Sequence, residues 1–424
     1  MSSLTGLSEA ALGAMLRLDA ATIRAFAAIT RPTARTPSVS HEPSGPRSVL
    51  VVALGAVGDA VLLSPFLREL RRSAPSARID LVASSGVVDL FIHCPYVDEV
   101  IPFDISARKA FRPILLPARA WALWHDRGGT SAGYDVAIMP QWEVDYNFAT
   151  AIASFSGAVT RVGYSEHESE RRALLNPGFD RLLTQPLHSE RDANPHEVAR
   201  SLAVLRALGL PVRDTALELW LSSEDRARAA SLVGPATAAT GPLVALGIGA
   251  NLGRRRWPVE RYIEVARRLF DEGGGGRIVV VGGDSDRAAQ QSMTQALGPG
   301  RVIGLAGATT LRQSAAVLER CDLFVGNDSG PMHLAAAAGI PVVEVSCHPR
   351  SGSVAHHNAP ERFGPWGVPA TVLRPEHGLA GCEQGCVHPE PHCIMEVSAE
   401  AVAEACIGYL SGAPGAHLRR PPLA

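Results

Sequence analysis

The stretch that decides the fold is "DLFVGNDSGPMHLAAAAGIPVVEVS", residues 322–346. Two apolar runs, 322–326 and 341–346, enclose a short helical pattern rich in alanine. Apolar runs without the alternation of a half-exposed strand are typical of strands buried on both faces, as in a parallel sheet. The stretch therefore predicts a strand–helix–strand unit, with the turn-forming residues 327–331 at the carboxyl end of its first strand.

The same alternation of strand and helix continues upstream. Apolar runs bounded by glycine or turn residues alternate with patterns of helical spacing, which predicts two α/β units in tandem, joined around 208–240. We therefore predict an α/β fold with two Rossmann-like domains whose parallel sheets face a central cleft, with ligands at the carboxyl ends of the strands. The further predicted strands are 48–54, 78–84, 99–103, 135–139, 159–163, 243–249, 277–283 and 301–307.

Composition limits the function classes. The 424 residues are enough for two cores, and 46% hydrophobic with 19% charged residues is typical of a globular protein. A net charge of −2 gives no basic footprint for nucleic acid. No apolar run reaches the roughly 18 residues of a membrane span, and we expect no signal peptide. With an odd count of seven cysteines, this predicts a cytoplasmic protein.

The basic residues are almost all arginine, since Lys109 is the single lysine. Any phosphate clamp should therefore use guanidinium groups, whose planar fork matches phosphate oxygens. We predict four domain segments: a helical extension with a linker at 1–46, a domain at 47–215, a second at 216–396, and a last helix with a tail at 397–424. Within the extension, 7–30 has helical spacing, and 31–47 is rich in Pro, Ser and Thr.

The loop "ALGAVGDAVLLSP", residues 53–65, follows the first predicted strand. Gly55 and Gly58 allow a tight turn and close approach to a ligand, and Asp59 stands at the start of a helix. Asp59 is either a helix cap or a site residue, because aspartate is favoured at caps. A dinucleotide site is a weaker interpretation, since the run is G-x-x-G and Asp80 falls inside the second strand.

Two further loops follow predicted strands of the second unit. In "GIGANLGRRRWPVERY", 247–262, three arginines form either a solvated basic loop or a clamp for a diphosphate. In "VVVGGDSDR", 279–287, the glycines form either an ordinary turn or a floor beneath a nucleotide. Pro258 suits the first turn of the helix after the arginines.

The fourth loop lies inside the stretch 322–346. Asp328 and Ser329 are residues of the type that caps helices, and Pro331 fits a first turn. Backbone N–H groups from Ser329 to Met332 should then point out of the helix and form an anion site. His333 beside them is either structural or a donor to a phosphate or sugar oxygen.

Taken together, three motifs resemble the family 9 glycosyltransferases, the heptosyltransferase family of lipopolysaccharide assembly. They are "LGAVGDAVLLSP" at 54–65, "RRRWP" at 254–258 and "NDSGPMHLAAAAGIPVV" at 327–343, in the family's order. The resemblance covers roughly residues 47–408. It implies a GT-B fold, with the acceptor in the first domain and the nucleotide-sugar in the second. It also implies that the last helix, in 397–424, crosses back to the first domain.

The resemblance also implies the chemistry. It implies an inverting, metal-independent transfer, most often from ADP-L-glycero-D-manno-heptose to a sugar on lipid A core, with the nucleotide-diphospho-sugar as co-substrate and no other cofactor. A glycolipid acceptor implies peripheral contact with the inner membrane. By match to the first motif, Asp59 is expected to be the general base, and Gly55 and Gly58 belong to the acceptor-side loop. The expected donor site is Arg255, Asn251, Asp286, Asp328, Ser329, Gly330 and His333.

This chain departs from the family pattern in the second loop. The family usually has lysine where Arg255 stands, and threonine or serine where Ala250 and Asn251 stand. Two other functions therefore stay open: an epimerase or transferase of the same fold with another nucleotide-sugar, and a non-catalytic relative that binds such a sugar. A segment near the end, "CEQGCVHPEPHC" at 382–393, contains three cysteines that bind a metal, pair or stay free.

Overall fold

The computed structural model describes residues 46–106, 112–127, 133–190, 194–234 and 241–412. The predicted helix at 7–30 and most of the predicted linker lie outside these ranges. The chain divides into two compact units. We call them the N-terminal unit, with residues 46–56 and 65–215, and the C-terminal unit, with residues 57–64 and 216–412. Residues 57–64 therefore pack with the C-terminal unit, although their neighbours in sequence belong to the other one.

A six-stranded parallel sheet forms the centre of the N-terminal unit. Its strands are β1 (Ser48–Ala53), β2 (Arg78–Ser84), β3 (Glu99–Phe103), β4 (Val136–Met139), β5 (Thr160–Tyr164) and β6 (Gln185–Leu187). The helices that follow along the chain are α2 (Ser64–Ser73), α3 (Arg112–His125), α4 (Ala149–Phe155), α5 (Glu170–Leu175) and α6 (Glu197–Ala207). In β1 every residue after Ser48 is buried, as its unbroken apolar run predicts.

The C-terminal unit contains a second six-stranded parallel sheet. Its strands are β7 (Leu243–Gly247), β8 (Arg277–Val280), β9 (Val302–Gly304), β10 (Leu323–Asn327), β11 (Val342–Val345) and β12 (Ala370–Leu373). Its helices are α1 (Val57–Leu62), α7 (Ser223–Val233), α8 (Val259–Glu272), α9 (Arg287–Leu297), α10 (Leu311–Leu318), α11 (Gly330–Ala337), α12 (Pro360–Phe363) and α13 (Ala399–Leu410).

Both sheets have the same strand order. The first is β3-β2-β1-β4-β5-β6 and the second is β12-β11-β10-β7-β8-β9, which is the doubly wound order 3-2-1-4-5-6 in each unit. In such sheets the order reverses beside the first strand, and ligands bind at the carboxyl ends of the two strands that flank the reversal. In the C-terminal unit those strands are β7 and β10, so the loops after Gly247 and Asn327 lie at the expected position.

One helical pattern of the sequence is split in the structure. Residues 59–75 have continuous helical spacing, which predicts one helix, but they contribute to two helices, α1 and α2, with the break beside Pro65. Proline has no N–H to donate to the carbonyl four residues earlier, which belongs to Val61. That carbonyl instead accepts from the Ser64 hydroxyl at 2.8 Å, and Ser64 Oγ accepts from the Glu218 N–H at 3.0 Å. The break therefore ends α1 at a hydrogen bond with Glu218, a residue of the same unit.

The last helix, α13, packs on α8 in the core of the C-terminal unit. Its predicted crossing to the first domain stays a prediction, as do the predicted domain boundaries. Within the part of the chain that the structure describes, every helix is too short or too polar to cross a bilayer.

Candidate active site

Asn327 joins the two loops that flank the reversal of strand order. It is the last residue of β10, and its side chain is fully buried. Its Oδ1 accepts from the Trp257 N–H at 3.1 Å and from the Tyr262 hydroxyl at 2.9 Å, while its Nδ2 donates to the Ile248 carbonyl at 3.0 Å. One buried amide therefore fixes the arginine loop after β7 against the end of β10. Asn327 is the first residue of the motif at 327–343, but it was not among the predicted site residues.

Arg255 lies in a socket of oxygen acceptors. Its Nη1 is 2.9 Å from Asp328 Oδ2, its Nε and Nη2 donate to Asn358 Oδ1 at 3.0 and 2.8 Å, and its Nη2 also donates to the His357 carbonyl at 2.8 Å. The Arg255 side chain is 19% exposed. The structure thus brings together two of the predicted donor residues, Arg255 and Asp328, and holds the guanidinium in one orientation. Asn358 was not found from sequence, because its partner is 103 residues away.

A second carboxyl group lies buried near this ion pair. Glu344 is on β11, and its Oε2 has no hydrogen-bond partner in the described part of the chain. Burial raises the pKa of Glu344 well above its usual range, and the negative charge of Asp328 raises it further. Burial also raises the pKa of Asp328, but Arg255 opposes that rise. Arg255 therefore opposes the effect of burial at Asp328, whereas burial and Asp328 together favour the protonated form of Glu344.

The start of α11 differs from the prediction. Ser329 alone is the N-cap, in extended conformation, and its hydroxyl donates to the Asn327 carbonyl at 3.2 Å instead of capping the helix. Asp328 is not a cap, because its carboxylate is used by Arg255. The predicted row of outward N–H groups is also shorter: Pro331 has none, and the Met332 N–H donates to the Ser329 carbonyl at 3.0 Å. Ser329 and Gly330 are the residues that can still offer an N–H there.

Helix α1 lies directly against the first turn of α11 within the C-terminal unit. A Cβ on Gly58 would stand 2.5 Å from the His333 ring, and a Cβ on Gly330 would stand 2.8 Å from Val57 Cβ. Both positions therefore require glycine for this close approach. His333 is buried at 3% exposure beneath the contact. Asp59 follows Gly58 in the first turn of α1 and is half-buried.

The remaining predicted residues have more local roles. Asp286 accepts from the Gly283 N–H at 3.0 Å, and its carboxylate fills the space beside Gly249, so it supports the loop after β7 from below. Asn251 is exposed in that same loop. Gly55 lies in the N-terminal unit, where its carbonyl accepts from the Ser84 hydroxyl at 2.8 Å.

The cysteine segment forms a compact cluster with a histidine. One ligand atom each from Cys382, Cys386, His392 and Cys393 lies within 4.8 Å of the others. All seven cysteines are in the described ranges, and none forms a disulfide. A disulfide was one of the three alternatives for this segment, and the structure does not contain it.

A polar depression on the N-terminal unit contains none of the predicted residues. Arg200 lies over the Trp142 ring at 3.7 Å, and the Trp142 indole N–H donates to Glu168 and to Ser189, each at 3.1 Å. His167 and His188 are also at its edge. Trp142 thus uses its N–H and the face of its ring for contacts within the unit.

Comparison with known proteins places these features in a family. The pattern of glycosyltransferase family 9 (heptosyltransferase) matches residues 130–385. Lipopolysaccharide heptosyltransferase 2 of Salmonella typhimurium is 29% identical over 313 residues, which cover 70% of this chain and 81% of that protein.

Solved structures agree on the fold. A glycosyl transferase family 9 protein from Veillonella parvula superposes with a TM-score of 0.68 at 24% identity, over 86% of this chain and 97% of that one. The E. coli ADP-heptose lipopolysaccharide heptosyltransferase II superposes with a TM-score of 0.63 at 24% identity, over 86% and 98%. The predicted fold, GT-B with two Rossmann-like domains, is confirmed.

Proposed function

The chain belongs to glycosyltransferase family 9 and is a glycosyltransferase, and from this premise we propose that it transfers heptose from ADP-heptose to a saccharide of the lipopolysaccharide core. The names of the similar proteins support the sugar and the acceptor class, and the name of the E. coli structure supports the ADP-linked donor. An acceptor attached to a lipid brings the enzyme into peripheral contact with the inner membrane. The donor is consumed as a co-substrate.

One observation carries the proposal: the guanidinium of Arg255 is fixed by Asp328 and Asn358 beside the N-terminus of α11. A departing nucleoside diphosphate carries negative charge that a transferase must stabilise. Arg255 and the N–H groups of Ser329 and Gly330 offer fixed positive charge and donors at one place, and fixed donors need no reorganisation during the reaction. His333 adds an imidazole in the first turn of the same helix.

In the proposed reaction Asp59 acts as the general base. Its carboxylate takes the proton of an acceptor hydroxyl as the oxygen attacks the anomeric carbon of heptose, on the face opposite the diphosphate. The bond from the anomeric carbon to the diphosphate oxygen breaks, and the electron pair leaves with ADP. Configuration is inverted because a single displacement occurs. Arginine and helix N–H groups neutralise the leaving group, so the transfer itself requires no metal.

The other predicted residues have supporting roles in this proposal. Asp286 shapes the loop after β7 from beneath, and Asn251 on that loop is exposed and able to contact the donor. Gly58 sets the position of Asp59 by its close approach to His333, and Gly55 forms the turn before it.

The test is Asp59→Asn, which removes the base and keeps the shape. We expect kcat to fall by about 10²–10⁴-fold, the usual contribution of general base catalysis. The Kd for ADP should stay within about twofold, because the base does not hold the nucleotide. Asp271→Asn, at an exposed position near the end of α8, is the matched control and should keep full activity. Unchanged kcat in Asp59→Asn would falsify the role of Asp59 as base.

A donor screen separates this proposal from the same fold acting with another nucleotide-sugar. A true donor binds the folded chain and stabilises it by about 2.7 kcal/mol at a hundred times its Kd. We expect thermal stabilisation with ADP-heptose and not with UDP- or GDP-sugars. Mass spectrometry of a core acceptor should then detect one added heptose. Stabilisation without an added sugar would favour a non-catalytic binding protein.

A further inference from the structure

Four metal-ligating side chains converge beside the arginine loop. Cys382, Cys386 and Cys393 are buried, and His392 completes the group, with all four ligand atoms within 4.8 Å of one another. The His392 Nδ1 lies 3.7 Å from Cys382 Sγ and 3.5 Å from Cys393 Sγ. The ring nitrogen is therefore directed at the sulfurs.

These separations agree with tetrahedral coordination. With Zn–S near 2.3 Å and Zn–N near 2.05 Å, two tetrahedral ligands are separated by about 3.6 Å for an S–N pair. The two S–N distances in the structure, 3.7 and 3.5 Å, lie on either side of that value. Buried cysteines that serve only as small apolar side chains need no imidazole nitrogen among them.

A turn at Gly385 brings Cys386 close to Cys382. The Gly385 N–H donates to the Cys382 carbonyl at 3.0 Å, and Gly385 has φ of +153°, which L side chains rarely adopt. A Cβ there would also stand 2.7 Å from the His356 ring. The turn therefore fixes Cys386 relative to Cys382 before any ligand binds.

We propose that Cys382, Cys386, His392 and Cys393 bind one zinc ion through three thiolates and the Nδ1 of His392. Binding releases the thiol protons to solvent, and the three thiolates and one imidazole fill a tetrahedral shell. A shell completed by four protein ligands leaves no open position, so the ion is structural and takes no part in sugar transfer. Sulfur-rich tetrahedral sites of this type favour zinc.

The proposed site is connected to two of the three arginines of the neighbouring loop, Arg254 and Arg255. The Cys386 carbonyl accepts from Asn358 Nδ2 at 3.1 Å, and Asn358 Oδ1 is the acceptor for Arg255. The Val387 and His388 carbonyls accept from Arg254 Nη1 at 3.3 and 3.0 Å. The ion would therefore hold the loop that orients Arg255. Only this consequence for nucleotide binding rests on the proposed function; the metal site itself does not.

The first measurement is the metal content of the full chain, purified without a polyhistidine tag and without chelator. We expect about one zinc per chain by inductively coupled plasma mass spectrometry. Cys382→Ser and Cys393→Ser should each lower it at least tenfold, while Cys321→Ser, a buried cysteine outside the cluster, should keep it. One iron per chain in place of zinc would overturn the assignment to zinc.

A second measurement uses the unmodified chain, in case the serine variants do not fold. A mercurial reagent is added stepwise, and released zinc is followed with a chromophoric chelator. Zinc should leave in proportion to the cysteines modified, and the binding of ADP should weaken only afterwards. A chain that contains no metal as purified, and takes up none on equilibrium dialysis against zinc, overturns the proposal. Loss of activity in Asp59→Asn does not bear on this result, so the two proposals fail separately.

Discussion

The Arg255 guanidinium contacts a carboxylate, a side-chain amide and a backbone carbonyl, so a change at this one residue alters several contacts of the site. It makes an ion pair with Asp328 and two hydrogen bonds to Asn358, while Glu344 lies buried nearby. Two carboxyl groups and one guanidinium cannot all be ionised at low cost in a buried place. Burial and the neighbouring Asp328 favour the protonated form of Glu344, and this predicts a dependence of stability on pH.

Glu344→Gln should remove a dependence of stability on pH. The folded-state pKa of Glu344 is raised above its ordinary value of 4.5, so the folded chain keeps a proton that the unfolded chain releases. The stabilising contribution is complete below 4.5 and is lost as pH rises through the folded-state pKa, with a slope of at most about 1.4 kcal/mol per pH unit. Urea unfolding from about pH 4 to about pH 9 measures this loss, because stability changes with pH only where the folded and unfolded chains bind different numbers of protons.

In that series the free energy of unfolding of Glu344→Gln should fall less with rising pH than that of the unmodified chain. Glu272→Gln, at an exposed position at the end of α8, is the control and should leave the profile unchanged. Parallel profiles for Glu344→Gln and the unmodified chain would mean that Glu344 is ionised in the folded state.

Arg255→Met should weaken both nucleotide binding and folding. The charge that the leaving diphosphate requires is lost, so we expect the Kd for ADP to rise at least about tenfold. Asp328 is also left without its cation, which costs roughly 3–5 kcal/mol of stability for a buried pair. Arg267→Met, at an exposed position on α8, should change neither. Titration calorimetry and urea unfolding measure the two effects.

Arg255→Lys separates the two effects. It keeps the charge beside Asp328 but cannot reproduce the fork that reaches Asn358 and His357 together. Its Kd for ADP should lie between those of the unmodified chain and Arg255→Met. A Kd for Arg255→Met equal to that of the unmodified chain would place the diphosphate elsewhere.

At the scale of elements, the contact between α1 and α11 is the feature that joins the first motif to the last. Gly58 and Gly330 face each other's helix, and the ring of His333 occupies the space that a side chain on Gly58 would need. The position of Asp59, the next residue after Gly58, therefore depends on this packing contact between the two helices.

Gly58→Ala should disturb this contact. Its added methyl would stand 2.5 Å from the His333 ring, so the ring or the helix must move, and overpacking of this kind typically costs about 1–3 kcal/mol. Gly86→Ala is the matched control, because a Cβ there has nothing within 4 Å. Differential scanning calorimetry measures both. A combined Gly58→Ala and His333→Ala variant should recover part of the loss, and strictly additive losses would contradict direct contact.

The sequence predicted the buried strands, but not the contacts between distant loops. Buried parallel strands such as β1 and β10 were predicted because a short unbroken apolar run that ends in glycine is typical of a strand covered on both faces. The split between α1 and α2 was missed, although Pro65 gave the signal. Asp328 and Ser329 are both residues of the type that caps helices, but Ser329 alone is the N-cap, because a distant arginine competes for the Asp328 carboxylate. Contacts such as Arg255 with Asn358, or His392 with Cys382, join loops that carry no shared local pattern.

At the scale of the whole molecule, the two sheets repeat one strand order, yet the chain does not divide at a single point. Residues 57–64 connect two parts of the N-terminal unit and pack with the C-terminal unit. The expected base is therefore carried by the unit that also contains Arg255, Asp328 and His333. This assignment makes a prediction about which parts of the chain respond to nucleotide alone.

Hydrogen exchange with and without ADP should reveal that response. The proposed donor residues and residues 57–64 belong to one compact unit, so nucleotide binding should slow exchange in 57–64, 254–258 and 330–337 together. Where exchange requires release of the ligand, the slowing approaches about a hundredfold at a hundred times the Kd. Peptides that cover β2 and β5 belong to the other unit and should exchange at unchanged rates. Protection of β2 and β5 without protection of 57–64 would mean that ADP binds in the N-terminal unit, which would overturn the assignment of the donor site to Arg255 and α11.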